Sequence, residues 1–71
     1  MASIRESRGL VQGATQLAVA ERSGVQRTRL SFAECNYLRL EPEEERLVRE
    51  VIAAMARERY NDFLSRLRET N

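Results

Sequence analysis

Apolar residues recur along this chain at intervals of three and four positions, which is the period of a helix with one buried face. Gly13, Gly24 and Pro42 interrupt the pattern at points where a helix would end or begin. The sequence therefore predicts an all-α fold of four to five helices.

The first predicted helix begins at Ser3. Residues 3–6 read SIRE, a capping box in which the hydroxyl and the glutamate satisfy backbone amides at the start of a helix. The helix is expected to run to about Gln12 and to stop at Gly13. Its predicted apolar contacts are Ile4, Leu10 and Val11.

A second helix follows and ends in a tight turn. Thr15 is a suitable N-cap for a helix that runs through about Arg22, and Gly24 can adopt the positive φ that often follows a helix C-terminus. The apolar positions of this helix are Leu17, Ala18, Val19 and Ala20.

The third helix is predicted over residues 26–35. It is expected to bury Leu30 and Ala33, with Cys35 as a further small buried apolar side chain. Asn36 follows and can close the helix in the left-handed region, which asparagine tolerates.

The last helix is predicted to begin at Pro42, which fits the first helical position because no N–H is needed there. Three glutamates, residues 43–45, complement the helix dipole in the first turn. Nothing interrupts the helix before about Glu69, which gives a length of about 40 Å. Its apolar residues form one amphipathic stripe of Leu47, Val48, Val51, Ile52, Met55, Tyr60, Phe63, Leu64 and Leu67.

The end of this helix is expected to bind a partner. The helical body can cover the apolar residues up to Met55, whereas the last four lie beyond it, and an exposed apolar patch marks an interaction site. We predict that these four, Tyr60, Phe63, Leu64 and Leu67, form a dimerisation surface, with a homodimer favoured over docking on a different protein. The predicted domains are a helix-turn-helix unit over 1–55 and a C-terminal extension over 56–71.

Residues 15–35 hold the most informative arrangement, TQLAVAERSGVQRTRLSFAEC. Ala20 is a small residue four positions before Gly24, so the third helix can approach closely, and Val25 and Leu30 can lock the two helices together. Two short helices packed at a steep angle across such a turn form a helix-turn-helix, which exposes one face of the second helix to the major groove of DNA.

This segment resembles the lambda-repressor-like (Cro/CI-type, XRE) helix-turn-helix regulators of bacteria and phages. Their pattern is T-Q-x-x-L-A-x-x-x-G-V-S-x-x-x-I/L-S-x-x-E, and the resemblance spans residues 4–55. Gln26 departs from the pattern, because the family usually has Ser or Thr there. The matching residues are Thr15, Gln16, Val19, Ala20, Gly24, Val25, Leu30, Ser31 and Glu34.

The resemblance implies that residues 26–35 are a recognition helix and that Glu34 serves the fold. Arginine can donate two hydrogen bonds to guanine, and glutamine can form two hydrogen bonds with adenine. A threonine methyl can contact the thymine methyl. Phe32 can contact a base or belong to the core. The resemblance also implies that Gln16 contacts the DNA backbone, and Arg29, Asn36 and Arg39 are further phosphate candidates. The DNA-binding residues predicted in this way are Gln16, Gln26, Arg27, Thr28, Arg29, Ser31, Phe32 and Asn36.

Composition excludes several other functions. The chain has 12 basic residues, all arginine, against 11 acidic ones, and no histidine. Residues 1–39 hold six arginines and three glutamates, or +3, whereas residues 40–71 hold six arginines and eight acids, or −2. With one cysteine and no nucleophile–base pair, we expect no disulfide, no metal, no cofactor and no enzymatic activity. No signal peptide or membrane span is recognisable, so a cytoplasmic setting is expected.

The sequence thus predicts a transcriptional regulator, of the repressor kind, that binds a short palindromic operator in double-stranded DNA as a homodimer. The alternative is an antitoxin or a protein-interaction adaptor whose C-terminal helix binds another protein.

Overall fold

The computed structural model describes residues 2–69, and within that range the chain is all-helical with no strand. The described part measures 49 × 20 × 18 Å, because the last helix is far longer than the others. Three residues lie outside the described range. They are Met1, at the start of the predicted 1–55 unit, and the last two residues of the predicted 56–71 extension. The helices are α1 (Ile4–Gly9), α2 (Gln16–Ser23), α3 (Arg27–Glu34) and α4 (Pro42–Glu69).

Helix α1 begins as predicted, with the Ser3 hydroxyl accepting a hydrogen bond from the Glu6 backbone N–H at 3.1 Å. It ends at Gly9, however, about three residues before the predicted end. The N–H groups of Leu10 and Val11 bond to carbonyls only three residues back, which tightens the last turn and ends the helix.

The early end of α1 makes one predicted core contact wrong. Leu10 is 84 % exposed, whereas Val11 is partly buried against the core. The chain leaves the helix at Gly9, so the side chains of these two neighbours no longer share one helical face. Gly13 then reverses the chain with a φ of +87°.

Helix α2 and the turn after it confirm the predicted signals. The Thr15 hydroxyl accepts a hydrogen bond from the Ala18 N–H at 3.1 Å. Gly24 has a φ of +79°, and its N–H donates to the Ala20 carbonyl at 3.0 Å. The turn therefore satisfies one of the carbonyls that the end of a helix leaves without an intrahelical partner.

Helix α3 ends in a Schellman motif. Asn36 is left-handed, with a φ of +65°, and its N–H donates to the Ala33 carbonyl at 3.1 Å. The Tyr37 N–H donates to the Phe32 carbonyl at 2.8 Å. These two bonds are the defining pair of the motif, so the predicted role of Asn36 is confirmed.

Helix α4 begins at Pro42 and runs to Glu69, as predicted. Its third residue, Glu44, reaches back to accept a hydrogen bond from the Glu41 N–H at 2.9 Å. This contact satisfies a backbone donor at the helix start, in the way that the glutamate of a capping box does.

The core lies where α2, α3 and the first half of α4 meet. Helix α2 packs against α3 and α4, and α1 packs against α4. Leu40, in the connection before α4, joins this core although it lies outside the periodic apolar pattern of the predicted helices. The buried residues are Ala14, Val19, Ala20, Val25, Leu30, Leu40, Val48 and Ile52.

One further side chain, Cys35, differs from expectation, and the structure decides between the two interpretations of Phe32. Cys35 was predicted to be buried and is exposed, because it is the C-cap of α3 and lies outside the face that Leu30 anchors. Phe32, for which the sequence left two interpretations, is 47 % exposed and is not part of the core.

Candidate nucleic-acid interface

The turn between α2 and α3 is stabilised by hydrogen bonds of the Ser23 hydroxyl and by the burial of two apolar side chains that follow it. The Ser23 hydroxyl lies 3.4 Å from the Ala20 carbonyl and accepts a hydrogen bond from the Val25 N–H at 3.3 Å. Val25 and Leu30, which follow the turn, are both buried. Burial of these two apolar side chains fixes α3 against α2, so the opposite face of α3 points to solvent.

The outward face of α3 carries polar and aromatic side chains. Gln26, Arg27 and Thr28 are exposed at its start, Ser31 is half-buried, and Phe32 is exposed one turn later. Within residues 2–69, no hydrogen bond or ion pair involves the side chain of Gln26, Arg27, Thr28 or Ser31. Their donors and acceptors are therefore available to a ligand.

Two aromatic rings, those of Phe32 and Tyr37, lie at the C-terminal end of this face. Phe32 and Tyr37 meet edge to face, with ring centroids 6.2 Å apart and planes at 86°. Apolar contact between these two positions commonly accompanies a Schellman motif. Asn36 lies between them in the chain and is exposed. Tyr37 is not among the site residues predicted from sequence, and its signal is its position directly after the left-handed Asn36.

Two of the predicted phosphate-binding side chains are engaged within the protein. Gln16 donates from its amide to a Glu34 carboxylate oxygen at 3.2 Å. Arg29 donates two hydrogen bonds to Glu44, at 2.9 and 2.7 Å. The bonds and the charge of Glu44 raise the pKa of Arg29, while the bonds from Arg29 lower the pKa of Glu44. Either side chain must give up its present partner to bind DNA.

Glu34 is the centre of a polar cluster between α1, α2 and α3. Arg8 donates to both oxygens of its carboxylate, at 3.0 and 2.8 Å, and also to the Ala14 carbonyl at 3.3 Å. Only 2 % of the Glu34 side chain and 20 % of the Arg8 side chain is exposed. Glu34 therefore has the structural role expected of it. The sequence pattern did not predict that Arg8 is its partner.

The pKa of Glu34 reflects two opposing effects. Burial alone would raise it, but the hydrogen bonds from Arg8 and Gln16, with the charges of Arg8 and Arg5, outweigh burial and lower the pKa below its ordinary value. The carboxylate is therefore charged at neutral pH and holds its partners as an anion.

Acidic residues of α4 neutralise part of the basic first half of the chain. Arg29 pairs with Glu44, and Arg22 pairs with Glu58 at 2.8 Å. Among the described residues, Arg27 and Arg39 form no such pair. The free positive charge near α3 is consequently smaller than the +3 of residues 1–39 suggests.

Contacts between α4 and the body extend past the predicted boundary at residue 55. Glu58 binds Arg22, and Arg59 donates to the Gln12 carbonyl at 3.0 Å. A Cβ on Gly13 would lie 2.7 Å from the Arg59 guanidinium, so the loop after α1 and the middle of α4 are closely apposed.

The four predicted dimerisation residues, here called the distal stripe, lie beyond these contacts. Tyr60 is 63 % exposed, Phe63 57 % and Leu67 47 %, and Leu64 is half-buried. At about 100° of rotation per residue, the centre of this set lies about a quarter of a turn around α4 from the core residues Val48 and Ile52. The apolar positions of α4 therefore shift around the helix along its length, and Phe63, about 20° from Ile52, connects the core face to the distal stripe.

Residues 2–69 contain no cluster of histidine, cysteine or acidic side chains that could hold a metal ion. In the same range, no helix is long and apolar enough to cross a membrane. Comparison of the chain with protein-family models, with curated proteins and with solved structures found no match in any of the three.

Proposed function

We propose that this chain is a sequence-specific DNA-binding regulator that acts as a repressor and reads duplex DNA with α3 in the major groove. The observation that carries the proposal is the outward face of α3, where Gln26, Arg27 and Thr28 are exposed and have no partner among the described residues. In this proposal α2 and α3 form a helix-turn-helix of the lambda-repressor-like kind.

The order of contacts around the turn supports this arrangement. A small buried residue, Ala20, precedes the left-handed Gly24, and buried Val25 and Leu30 follow it. A rigid turn of this kind presents a short helix at a fixed angle, which a protein needs in order to place side chains against base edges.

The side chains have distinct proposed roles. Arg27 donates two hydrogen bonds to guanine, and Gln26 pairs with adenine. The Thr28 methyl and the exposed Phe32 ring contact thymine methyl groups. Ser31 also faces base edges, and Asn36 binds a phosphate beside them.

The remaining contacts position the protein on the phosphates. Arg39 is exposed without an ion-pair partner in residues 2–69 and is available to bind a phosphate. Gln16 and Arg29 also bind phosphates in this proposal, after they release the carboxylates of Glu34 and Glu44. Such contacts release counterions from DNA, so affinity should fall steeply as salt rises.

Selection of bound duplexes from a random library, followed by affinity measurements across salt concentrations, tests the proposal. Recovery of one motif with a steep salt slope supports it, and a palindrome would report two copies on the operator. Weak binding with no motif at low salt contradicts it.

Substitution of Arg27 by Ala then tests the role of α3. The expected result is a loss of about 1–3 kcal/mol in binding and relaxed preference at one base pair. Arg68→Ala is the matched control, because it removes the same charge at the far end of α4. Equal weakening on all sequences would show that Arg27 touches only phosphate.

A second candidate function is an adaptor or antitoxin whose α4 holds another protein. The distal stripe favours it, since Tyr60 and Phe63 are more than half exposed on a helix with little body beside it. The homodimer predicted from sequence would use the same surface. The charges around the stripe discriminate between these occupants.

A further inference from the structure

Arginines border the distal stripe on both sides. With about 100° of rotation per residue, Arg59 and Arg66 follow one edge of the stripe, and Arg57 and Arg68 follow the other. All four belong to α4, which is helical through Glu69. The side chain of Arg66 is 74 % exposed, and Arg57 and Arg68 are exposed residues.

Acidic side chains of the same segment lie on the opposite face. Glu58, Asp62 and Glu69 cluster about half a turn away from the centre of the stripe. Glu58 is held by Arg22 of α2, and Asp62 lies 3.2 Å from Arg66 on the next turn. The segment is therefore nearly neutral as a whole, but the surface around its apolar stripe is basic.

This charge pattern disfavours a second copy of the chain as the occupant. When two identical helices pack stripe to stripe, the edge of one meets an edge of the other, whether they run parallel or antiparallel. In parallel packing, the edge with Arg59 on one copy lies against the edge with Arg57 on the other copy. In antiparallel packing, each edge lies against the same edge of the other copy. In both alignments arginines face arginines, which is repulsive.

We propose that the distal stripe is a docking surface for an acidic amphipathic helix of another protein. In that complex, apolar side chains of the partner cover Tyr60, Phe63 and Leu64, and its glutamates or aspartates pair with Arg57 and Arg68 on one edge. On the other edge Arg59 already donates to the Gln12 carbonyl and Arg66 pairs with Asp62. The distal segment, residues 56–69, is about 21 Å long, so it accommodates a partner helix of about four turns. The inference deepens the second candidate function and is independent of whether α3 binds DNA.

The test uses two synthetic helical peptides of three heptads, with leucine at the two core positions of each heptad. One peptide has glutamate at the flanking positions and the other has lysine. Fluorescence anisotropy with the full-length chain, at concentrations where each peptide alone is monomeric, gives the two affinities. We expect the glutamate peptide to bind at least about tenfold more tightly, with the preference reduced by salt.

Charge reversal at the edge locates the contact. Arg57→Glu with Arg68→Glu should abolish or invert the preference for the glutamate peptide, because both substitutions lie on one edge of the stripe. The control reverses Arg27 and Arg39, which changes the net charge equally and should leave peptide binding unaltered. Neither pair removes a buried side chain, and helical circular dichroism verifies folding.

Phe63→Ser tests the apolar part of the surface and should weaken binding of the glutamate peptide. Three results would overturn the proposal. These are equal affinity for the two peptides, a chain that sediments as a dimer and becomes monomeric with Phe63→Ser, and binding to anionic lipid vesicles without a peptide preference. No DNA is present, so failure here leaves the DNA-binding proposal untouched.

Discussion

The rings of Phe32 and Tyr37 meet edge to face, 6.2 Å from centroid to centroid, across the left-handed Asn36. The backbone N–H of Tyr37 also donates to the carbonyl of Phe32. One pair of residues thus closes the end of α3 twice, by a hydrogen bond and by an aromatic contact. This closure fixes the last turn of the proposed recognition helix.

We therefore expect Tyr37→Ala to lower the free energy of unfolding by about 1 kcal/mol, because aromatic pairs contribute about that amount beyond simple burial. Tyr37→Phe keeps the ring and should leave stability unchanged. Urea denaturation of the two variants checks the prediction. Equal stability of Tyr37→Ala and the unsubstituted chain would show that the exposed ring contact contributes nothing.

The two glycines Gly24 and Gly9 should respond oppositely to substitution by alanine. Gly24 has a φ of +79°, so alanine there is strained and should cost about 1 kcal/mol even though a Cβ meets no atom within 4 Å. Gly9 is helical and equally uncrowded, so Gly9→Ala should be neutral or stabilising by up to about 1 kcal/mol. Thermal and urea unfolding of both variants gives the comparison, and a loss of stability in both would contradict it.

The Arg8–Glu34 pair should matter more than the surface ion pairs. Arg8→Ala leaves a carboxylate that is 2 % exposed with one neutral donor, Gln16, and should destabilise the fold by about 2–3 kcal/mol. Arg46→Ala is the control, because Arg46 binds Glu43 and Glu50 on the exposed side of α4 and its loss should have a much smaller effect. Similar losses in the two variants would argue against the cluster as a link between helices.

Glu34 also predicts the direction of a pH dependence. Its pKa is lower in the folded than in the unfolded chain, so its contribution is fully present above its ordinary pKa of about 4.5 and disappears as pH falls through the lower folded value. Glu34→Gln should remove this contribution. The difference in unfolding free energy between the two proteins should therefore shrink below about pH 4.5, as a denaturation series across pH measures. A difference that is constant down to pH 3 would contradict the assignment.

The Arg29–Glu44 pair predicts an effect on DNA binding, if α3 reads DNA as proposed. Glu44→Gln should free Arg29 for a phosphate, tightening binding and raising the salt slope by about one unit. Glu43→Gln removes the same charge from the neighbouring position, where the carboxylate pairs with Arg46 instead. A titration at several salt concentrations separates the two, and equal tightening would mean that only net charge matters.

The sequence by itself determined where most helices begin and end. Ser3, Thr15, Gly24, Asn36 and Pro42 all act as predicted at the helix termini. Each of these signals depends on hydrogen bonds or dihedral angles within a few residues, so the local sequence contains the whole cause. The end of α1 was misplaced because two N–H groups bonded three residues back instead of four.

The tertiary structure alone decided which side chains are free to act. Arg8 and Glu34 are 26 positions apart, and Arg29 and Glu44 are 15 apart, so their pairing depends on how helices pack and has no local signal. The offset of about a quarter turn between the distal stripe and the core face is likewise visible only once Val48 and Ile52 are seen to be buried. Many arginine–glutamate pairs are possible with this composition, and the packing of the helices decides which of them form. Local hydrogen bonds and dihedral angles decide only where the helices begin and end.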